Sequence, residues 1–167
     1  MDYISYTDSP LGRMVMSSDG TALTGLWFEE QRFAAYSVAH DRKETELPIF
    51  SQTRRWLDIY YSGNKPDFTP AIKLVGTPFR LSVWERLRGI PYGGSVSYGE
   101  IALSIAEERG VPKMSAQAVG GAVGHNPIAI IVPCHRVLGA GGTLVGYGGG
   151  LERKIALLKI ENIDFSV

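Results

Sequence analysis

Apolar positions along this chain follow two rhythms, one in each half. In residues 1–75, Tyr3–Tyr6, Met14–Ser17 and Thr24–Phe28 are short β-like runs, parted by the turn signals Ser9-Pro10-Leu11-Gly12 and Asp19-Gly20. Two helical stretches are predicted after them, around Gln31–Ala39 and Pro48–Ser62. In the second, Ile49, Trp56, Ile59 and Tyr60 fall near helical spacing. Gly63-Asn64-Lys65-Pro66 ends that helix, and residues 65–70 form a connector. No group of residues in this half suggests a reaction, so its expected role is scaffold.

From residue 76 the rhythm becomes helical. Thr77-Pro78 is an N-cap followed by proline at the first helical position, with Phe79, Val83, Trp84 and Leu87 behind it to about Gly89. Ile90–Val96 is a turn-rich link. Ser97-Tyr98-Gly99-Glu100 matches a capping box, opening a helix that runs to about Arg109 and stops at Gly110-Val111-Pro112. A further helix spans roughly Ser115 to Gly124, so the pair predicts helix-turn-helix geometry. Gly120, Gly121 and Gly124 each cost that helix about 1 kcal/mol relative to alanine. Close helix–helix packing would account for them, and so would a smooth face pressed against a nucleic-acid groove. The helix alone does not separate the two.

Ile128 to Val132 is β-branched and uncharged, and predicts a short buried strand that Pro133, lacking an N–H, should end. Cys134 is then expected at the strand end with His135 next to it. A lone thiol is most often a small buried hydrophobe; this placement makes it a candidate nucleophile. Neighbours on a strand point to opposite faces, so spacing alone does not bring Cys134 against His135.

Composition narrows the setting. At 167 residues, 44% hydrophobic and 20% charged, the chain suits one medium soluble domain or two small ones. A single cysteine excludes an internal disulfide and a multi-cysteine zinc site, and points to a reducing cytoplasm. There is no 18-residue apolar stretch, and Met1-Asp2-Tyr3-Ile4 lacks the features of a signal peptide, so no membrane is expected. Net charge is zero, but residues 1–75 hold 8 Lys/Arg against 10 Asp/Glu and residues 76–167 hold 9 against 7. A polyanionic partner would meet the second half, with modest nonspecific affinity.

Pro133-Cys134-His135-Arg136-Val137 resembles the active-site motif of the O6-alkylguanine-DNA alkyltransferases, single-use DNA repair proteins. Further segments are similar: Gly76-Thr77-Pro78-Phe79, Val83-Trp84, Ile90-Pro91-Tyr92-Gly93, Val96 to Glu100, Ala118 to Ala122, Asn126-Pro127, and Gly146-Tyr147 through Glu161 with Lys154 and Leu157-Leu158. They cover residues 76–162 almost continuously. Ser9 to Gly12 and Leu23 to Leu26 resemble the family more loosely. The resemblance implies an α+β fold: a ribonuclease H-like N-terminal domain over 1–75 and a mostly helical winged helix-turn-helix domain over 76–167. It implies a monomer that binds double-stranded DNA in the minor groove, flips the damaged base, and needs no metal or cofactor. The alkyl group of O6-alkylguanine, and of O4-alkylthymine, would pass irreversibly to Cys134.

The resemblance also assigns roles. Cys134 is the nucleophile, His135 its base through a water, and Glu161 the group that orients the imidazole, a Cys-His-Glu form of triad logic. Asn126 braces the turn before the active site, Tyr147 lines the pocket, and the backbones of Cys134 and Val137 read the guanine edge. Tyr98, Ala118, Gly120 and Gly121 would meet DNA, and Arg136 would pair within the protein. Plain structural alternatives exist for several: Glu161 as a solvated helix-end charge, Asn126 as a turn residue, Tyr98 as packing, Tyr147 as an incidental loop aromatic. The departure from the family is Gln117, where arginine usually fills the space left by the flipped base. Glutamine lacks its charge and planar stacking surface. The joint between the two helices also exceeds the family's by several residues, around Glu107-Glu108-Arg109-Gly110, and Lys113 could return some charge. Two rivals to alkyl transfer remain: an alkyltransferase-like damage binder with weak or no transfer, and a helix-turn-helix regulator, which would leave Cys134, His135 and Glu161 unexplained.

Overall fold

A computed structural model describes residues 2–31 and 42–167. The helix expected around Gln31–Ala39 lies almost wholly outside the described residues. The remainder divides into two compact units: residues 1–75 with 127–129, and residues 76–126 with 130–167. The short Pro127–Ala129 segment thus belongs with the first unit, an excursion that opens at the Asn126-Pro127 turn.

In the first unit, β1 (Asp2–Thr7), β2 (Met14–Ser18) and β3 (Leu23–Phe28) form an antiparallel meander, and β4 (Arg42–Glu44) adds parallel to β1, giving the order β3-β2-β1-β4. The three predicted strands are found within a residue or two. β4 is too short and too charged to show in the pattern. Helix α1 (Pro48–Tyr61) starts on its proline and buries Ile49, Phe50, Trp56, Leu57 and Tyr60. Its Arg54 donates to Ser5 Oγ and Tyr6 O, both at 2.8 Å, so a side chain in the helix satisfies polar groups of β1.

The second unit is mostly helical: α2 (Pro78–Arg88), α3 (Tyr98–Arg109), α4 (Ala116–Gly124) and α5 (Leu151–Ile160). The predicted caps are all present. Thr77 accepts from Arg80 N, Ser97 and Glu100 make the reciprocal capping box, Gly110 closes α3 at φ 66°, and Ser115 accepts from Ala118 N. Each such cap is worth about 1 kcal/mol. Trp84, 2% exposed, donates through its indole to Ala122 O at 2.8 Å and so locks α2 against α4. Burial of one such ring stabilises by roughly 2–3 kcal/mol. Two short strands, β5 (Val96–Ser97) at the end of the stretch expected as a turn-rich link and β6 (Val137–Leu138) just after the Cys134 turn, pair in parallel. β5 runs directly into Tyr98 and β6 follows directly on Arg136, so the start of α3 is held beside the Cys134 segment. Among the described residues, no helix is long and apolar enough to cross a membrane.

Ile128 to Val132 is not a strand. Ile128 makes one isolated bridge to Leu26, and the chain then turns, with Ile130 in the left-handed region at φ 69°. Burial was legible in these side chains, but the segment follows the β3 edge for one residue only: Leu26 N donates to Pro127 O at 2.9 Å and Ala129 N to Leu26 O at 2.8 Å, and the chain then leaves it. Here Asn126 Nδ2 donates to Val132 O at 2.7 Å and closes the segment into a loop. Cys134 accordingly opens a 3-10 turn, Cys134–Arg136, rather than leaving a strand end.

Candidate active site

The 3-10 turn sets the local geometry. Arg136 N–H donates to Pro133 O at 3.0 Å and Val137 N–H to Cys134 O, so Cys134, His135 and Arg136 fan out from one tight turn instead of alternating across a strand. All three are buried: Cys134 is 8% exposed, His135 0% and Arg136 8%.

Around the thiol stand Asn126, Tyr147, Lys154 and Tyr98. Burial pushes the Cys134 thiol up from its ordinary value, while a hydrogen bond from Asn126, the charge of Lys154, a backbone contact and a hydrogen bond from Tyr147 pull it back. The net direction is upward, so the thiol rests protonated. Lys154 is fully buried on α5; its Nζ donates to Val137 O at 2.7 Å, Val145 O at 2.9 Å and Gly146 O at 3.5 Å. Desolvation brings its ammonium down to about 8, with the neighbouring Cys134 opposing that drop. The same Nζ lies 6.0 Å from the centre of the Tyr98 ring. Burial, then the charge of Cys134, pushes the Tyr98 phenol up to about 12, so it stays protonated.

Beside the thiol runs a second chain of charges. Glu161, the C-cap of α5, is 3% exposed. Its Oε2 meets His135 Nε2 at 2.5 Å, and its Oε1 accepts from Arg136 Nε at 2.7 Å and from Gly93 N at 3.0 Å. Arg136 Nη1 also donates to Ile90 O at 2.8 Å. With Nε2 turned to a carboxylate, the imidazole carries its proton there and keeps its lone pair on Nδ1. Burial lowers the basicity of His135 most; Glu161 opposes that, and the charges of Arg136 and Lys154 add to it.

Helix α4 brings a third group. Gln117, Ala118 and Gly121 are exposed on it, Val119, Ala122 and Val123 are buried, and Gly120 is half-buried. A Cβ at Gly121 or Gly124 would meet nothing within 4 Å, and one at Gly120 only the Tyr98 ring at 3.9 Å. Internal packing therefore does not require these glycines. Val137 O already holds Lys154, so a ligand would use that oxygen's second lone pair. The structure thus brings Cys134, His135, Glu161, Asn126, Tyr147, Tyr98 and Val137 together, and sets Gln117 apart at the exposed start of α4.

Comparison with known proteins meets this geometry from outside. Residues 78–163 match the DNA-binding domain of 6-O-methylguanine DNA methyltransferase, and residues 3–74 match its ribonuclease-like domain. The chain belongs to this family. It is 43% identical to the methylated-DNA–protein-cysteine methyltransferase of Haemophilus influenzae, over 98% of this chain and 88% of that protein. The Mycobacterium tuberculosis protein of the same name is 46% identical over 92% of this chain and 88% of its own length. Among solved structures, M. tuberculosis O6-methylguanine methyltransferase superposes with a TM-score of 0.80 at 43% identity, covering 96% of this chain and 93% of the other. M. tuberculosis OGT in complex with DNA gives 0.82 at 45% identity, covering 95% and 92%. The α+β architecture expected for the methyltransferase family is the one found, a ribonuclease-like unit and a helical DNA-binding unit.

Lys154, which the sequence offers only as a position matching the family, is a further functional residue of this methyltransferase-family chain. A signal was present. Lys154, Leu157, Leu158 and Glu161 fall at i, i+3, i+4 and i+7, so a lysine and a glutamate occupy the two ends of a buried helical stripe. Ionisable residues on such a stripe have partners that hold them there. Gly93 and Ile90 carry no such signal: they act through backbone atoms, which residue type does not reveal.

Proposed function

We propose that this protein repairs DNA by transferring the alkyl group of O6-alkylguanine, and of O4-alkylthymine, irreversibly to Cys134, one turnover per molecule. A single observation carries the reading: the chain's one cysteine is buried against a lysine, an asparagine and a tyrosine, next in sequence to an imidazole held by a carboxylate. That is how a thiol is kept protonated at rest and made able to ionise on demand. In the reaction His135 takes the thiol proton at Nδ1 through one bridging water, and Glu161 stabilises the resulting imidazolium. The thiolate attacks the alkyl carbon in line, so an S–C bond forms as the C–O bond to the base breaks. The electron pair returns to the guanine, which regains a ring proton, so one proton passes in net from thiol to base. Lys154 balances the thiolate charge, Asn126 braces the loop, and Tyr147 lines the pocket and offers a hydrogen bond to the developing charge. The backbones of Cys134 and Val137 read the guanine edge.

The thiol is too deep to reach a base stacked in a duplex, which supports extrusion of the nucleotide into the site. Helix α4 offers the face for double-stranded DNA: Gln117, Ala118, Gly120 and Gly121 lie along it without bulk, and open space around the glycines favours groove contact over internal packing. Tyr98, between α4 and Cys134, would steady the phosphate of the flipped nucleotide. Residues 1–75 serve as scaffold and 76–167 carry DNA binding and transfer, in a monomeric cytoplasmic protein. The damage-binder alternative is not favoured, since acceptor and activating groups are all in place.

The deciding test is the intact mass of the protein after incubation with a duplex containing O6-methylguanine. One added methyl group, mapped to the Cys134 peptide, is expected; binding with no change in mass would overturn transfer. Gln117→Arg supplies a second measurement. Adding a cation and a planar group at the exposed start of α4 should tighten duplex binding and speed repair, each by about threefold to tenfold. No gain in either quantity would sink the finger assignment for this position.

A further inference from the structure

Arg136 takes no part in the transfer steps, yet it is buried among the groups that do. We propose that Arg136 is a positioning residue that holds Glu161 as a paired carboxylate and keeps the His135 imidazole neutral at rest. The inference rests on the transfer reading and deepens it. Arg136 is tied at two points, to Glu161 Oε1 at 2.7 Å and to Ile90 O at 2.8 Å, and its guanidinium lies 5.7 Å from the centre of the Tyr92 ring. It is therefore fixed beside the carboxylate that His135 Nε2 approaches from the other oxygen.

The charge balance gives this placement its consequence. Without Arg136, the buried Glu161 charge would be offset most readily by a second proton on His135, giving an imidazolium–carboxylate pair. An imidazolium has no lone pair, so it cannot receive the Cys134 proton. With Arg136 in contact, the carboxylate is already compensated and the imidazole sits beside a neutral pair. The groups that bear on His135 are Glu161, which favours its protonation, and Arg136 and Lys154, which oppose it, as burial does. Lys154 is directed to the carbonyls of Val137, Val145 and Gly146; Arg136 is the cation hydrogen-bonded to the carboxylate itself. The Tyr92 phenol is raised by burial and by Glu161, and stays neutral throughout.

The test is the single-turnover transfer rate of wild type, Arg136→Gln and Arg136→Lys between about pH 5.5 and pH 9. In Arg136→Gln the acid limb should move up by about one pH unit, because removing a neighbouring cation makes the imidazole easier to protonate. At about pH 5.5 that variant should be severalfold slower than wild type, approaching tenfold only where the pH lies below both midpoints, and at about pH 9 within about threefold of it. Arg136→Lys, which keeps the charge, should return the limb most of the way. A uniform slowing with an unmoved limb would overturn the proposal and leave Arg136 a structural tie. Transfer to Cys134 would still be seen at high pH in that case, so the transfer reading would stand. Nitrogen NMR of the wild-type His135 ring is independent of how the variants fold. It should show a neutral ring protonated at Nε2 at about pH 7, and an imidazolium there would equally overturn the proposal.

Discussion

Cys134→Ser is expected to abolish alkyl transfer while leaving damaged-duplex binding within about threefold of wild type. A serine hydroxyl fits the space of the thiol and can keep the hydrogen bonds that Asn126 and Tyr147 direct at the sulfur. What it loses is the ionisation. Burial already holds the thiol above its ordinary value, and Lys154 with His135 must bring down the remaining gap. A hydroxyl starts many pH units higher and is a poorer nucleophile toward saturated carbon, so the same groups fall far short. The fold should suffer little, by about 1 kcal/mol, because an alcohol with partners replaces a small buried hydrophobe. Intact mass and duplex affinity, measured on the same preparation, check both halves. A methyl group on the serine variant would place the acceptor elsewhere and defeat the assignment of Cys134.

The second large effect is expected at Lys154. Lys154→Met should slow transfer by about a hundredfold or more, the scale on which removing one fixed electrostatic stabiliser acts. Methionine has the length to fill the channel but brings neither the charge that favours the Cys134 thiolate nor the donors on Val137 O and Val145 O. The same ammonium carries a stability signature. Its folded value of about 8 lies below its ordinary 10.5, so between those values the unfolded chain binds more protons than the folded one. Stability due to this group therefore rises as the pH climbs from about 8 toward 10.5, the reverse of a lysine held in an ion pair. Cys134 and Tyr98, both raised by burial, oppose that rise in both proteins alike, so denaturant unfolding across the window should show a more positive slope in wild type than in the methionine variant. Equal slopes would mean that Lys154 is not desolvated in the folded protein. An undiminished transfer rate would remove it from the chemistry.

Much of this was legible in the chain because it rests on local rules. Ser97 and Glu100 stand three positions apart, the spacing of a capping box, and Thr77-Pro78 opens a helix by its own stereochemistry. Strands β1 to β3 follow from β-like runs bounded by turn signals. At the site, Pro133 to Val137 and the spacing of Lys154 and Glu161 on one helical stripe carried the chemistry in their order.

Tertiary structure decided the rest, and each case has the same cause. Ile128 to Val132 is buried, as its side chains imply, but is not a strand, because it meets the β3 edge only at Ile128 and Asn126 then folds the segment back on Val132 O. Residue type could not tell whether Gly120 and Gly121 pack against another helix; the open space around them depends on where α2 and α3 lie. Nor could it show that the Gly93 amide and the Ile90 carbonyl hold Glu161 and Arg136, because every residue but proline has both atoms. By itself the sequence determined which residues could react and which helices would carry them, since those depend on side-chain chemistry and on neighbours a few positions away. The fold decided the protonation of Cys134, His135 and Lys154, because charge in a buried site is set by groups distant in sequence and by the water that packing excludes.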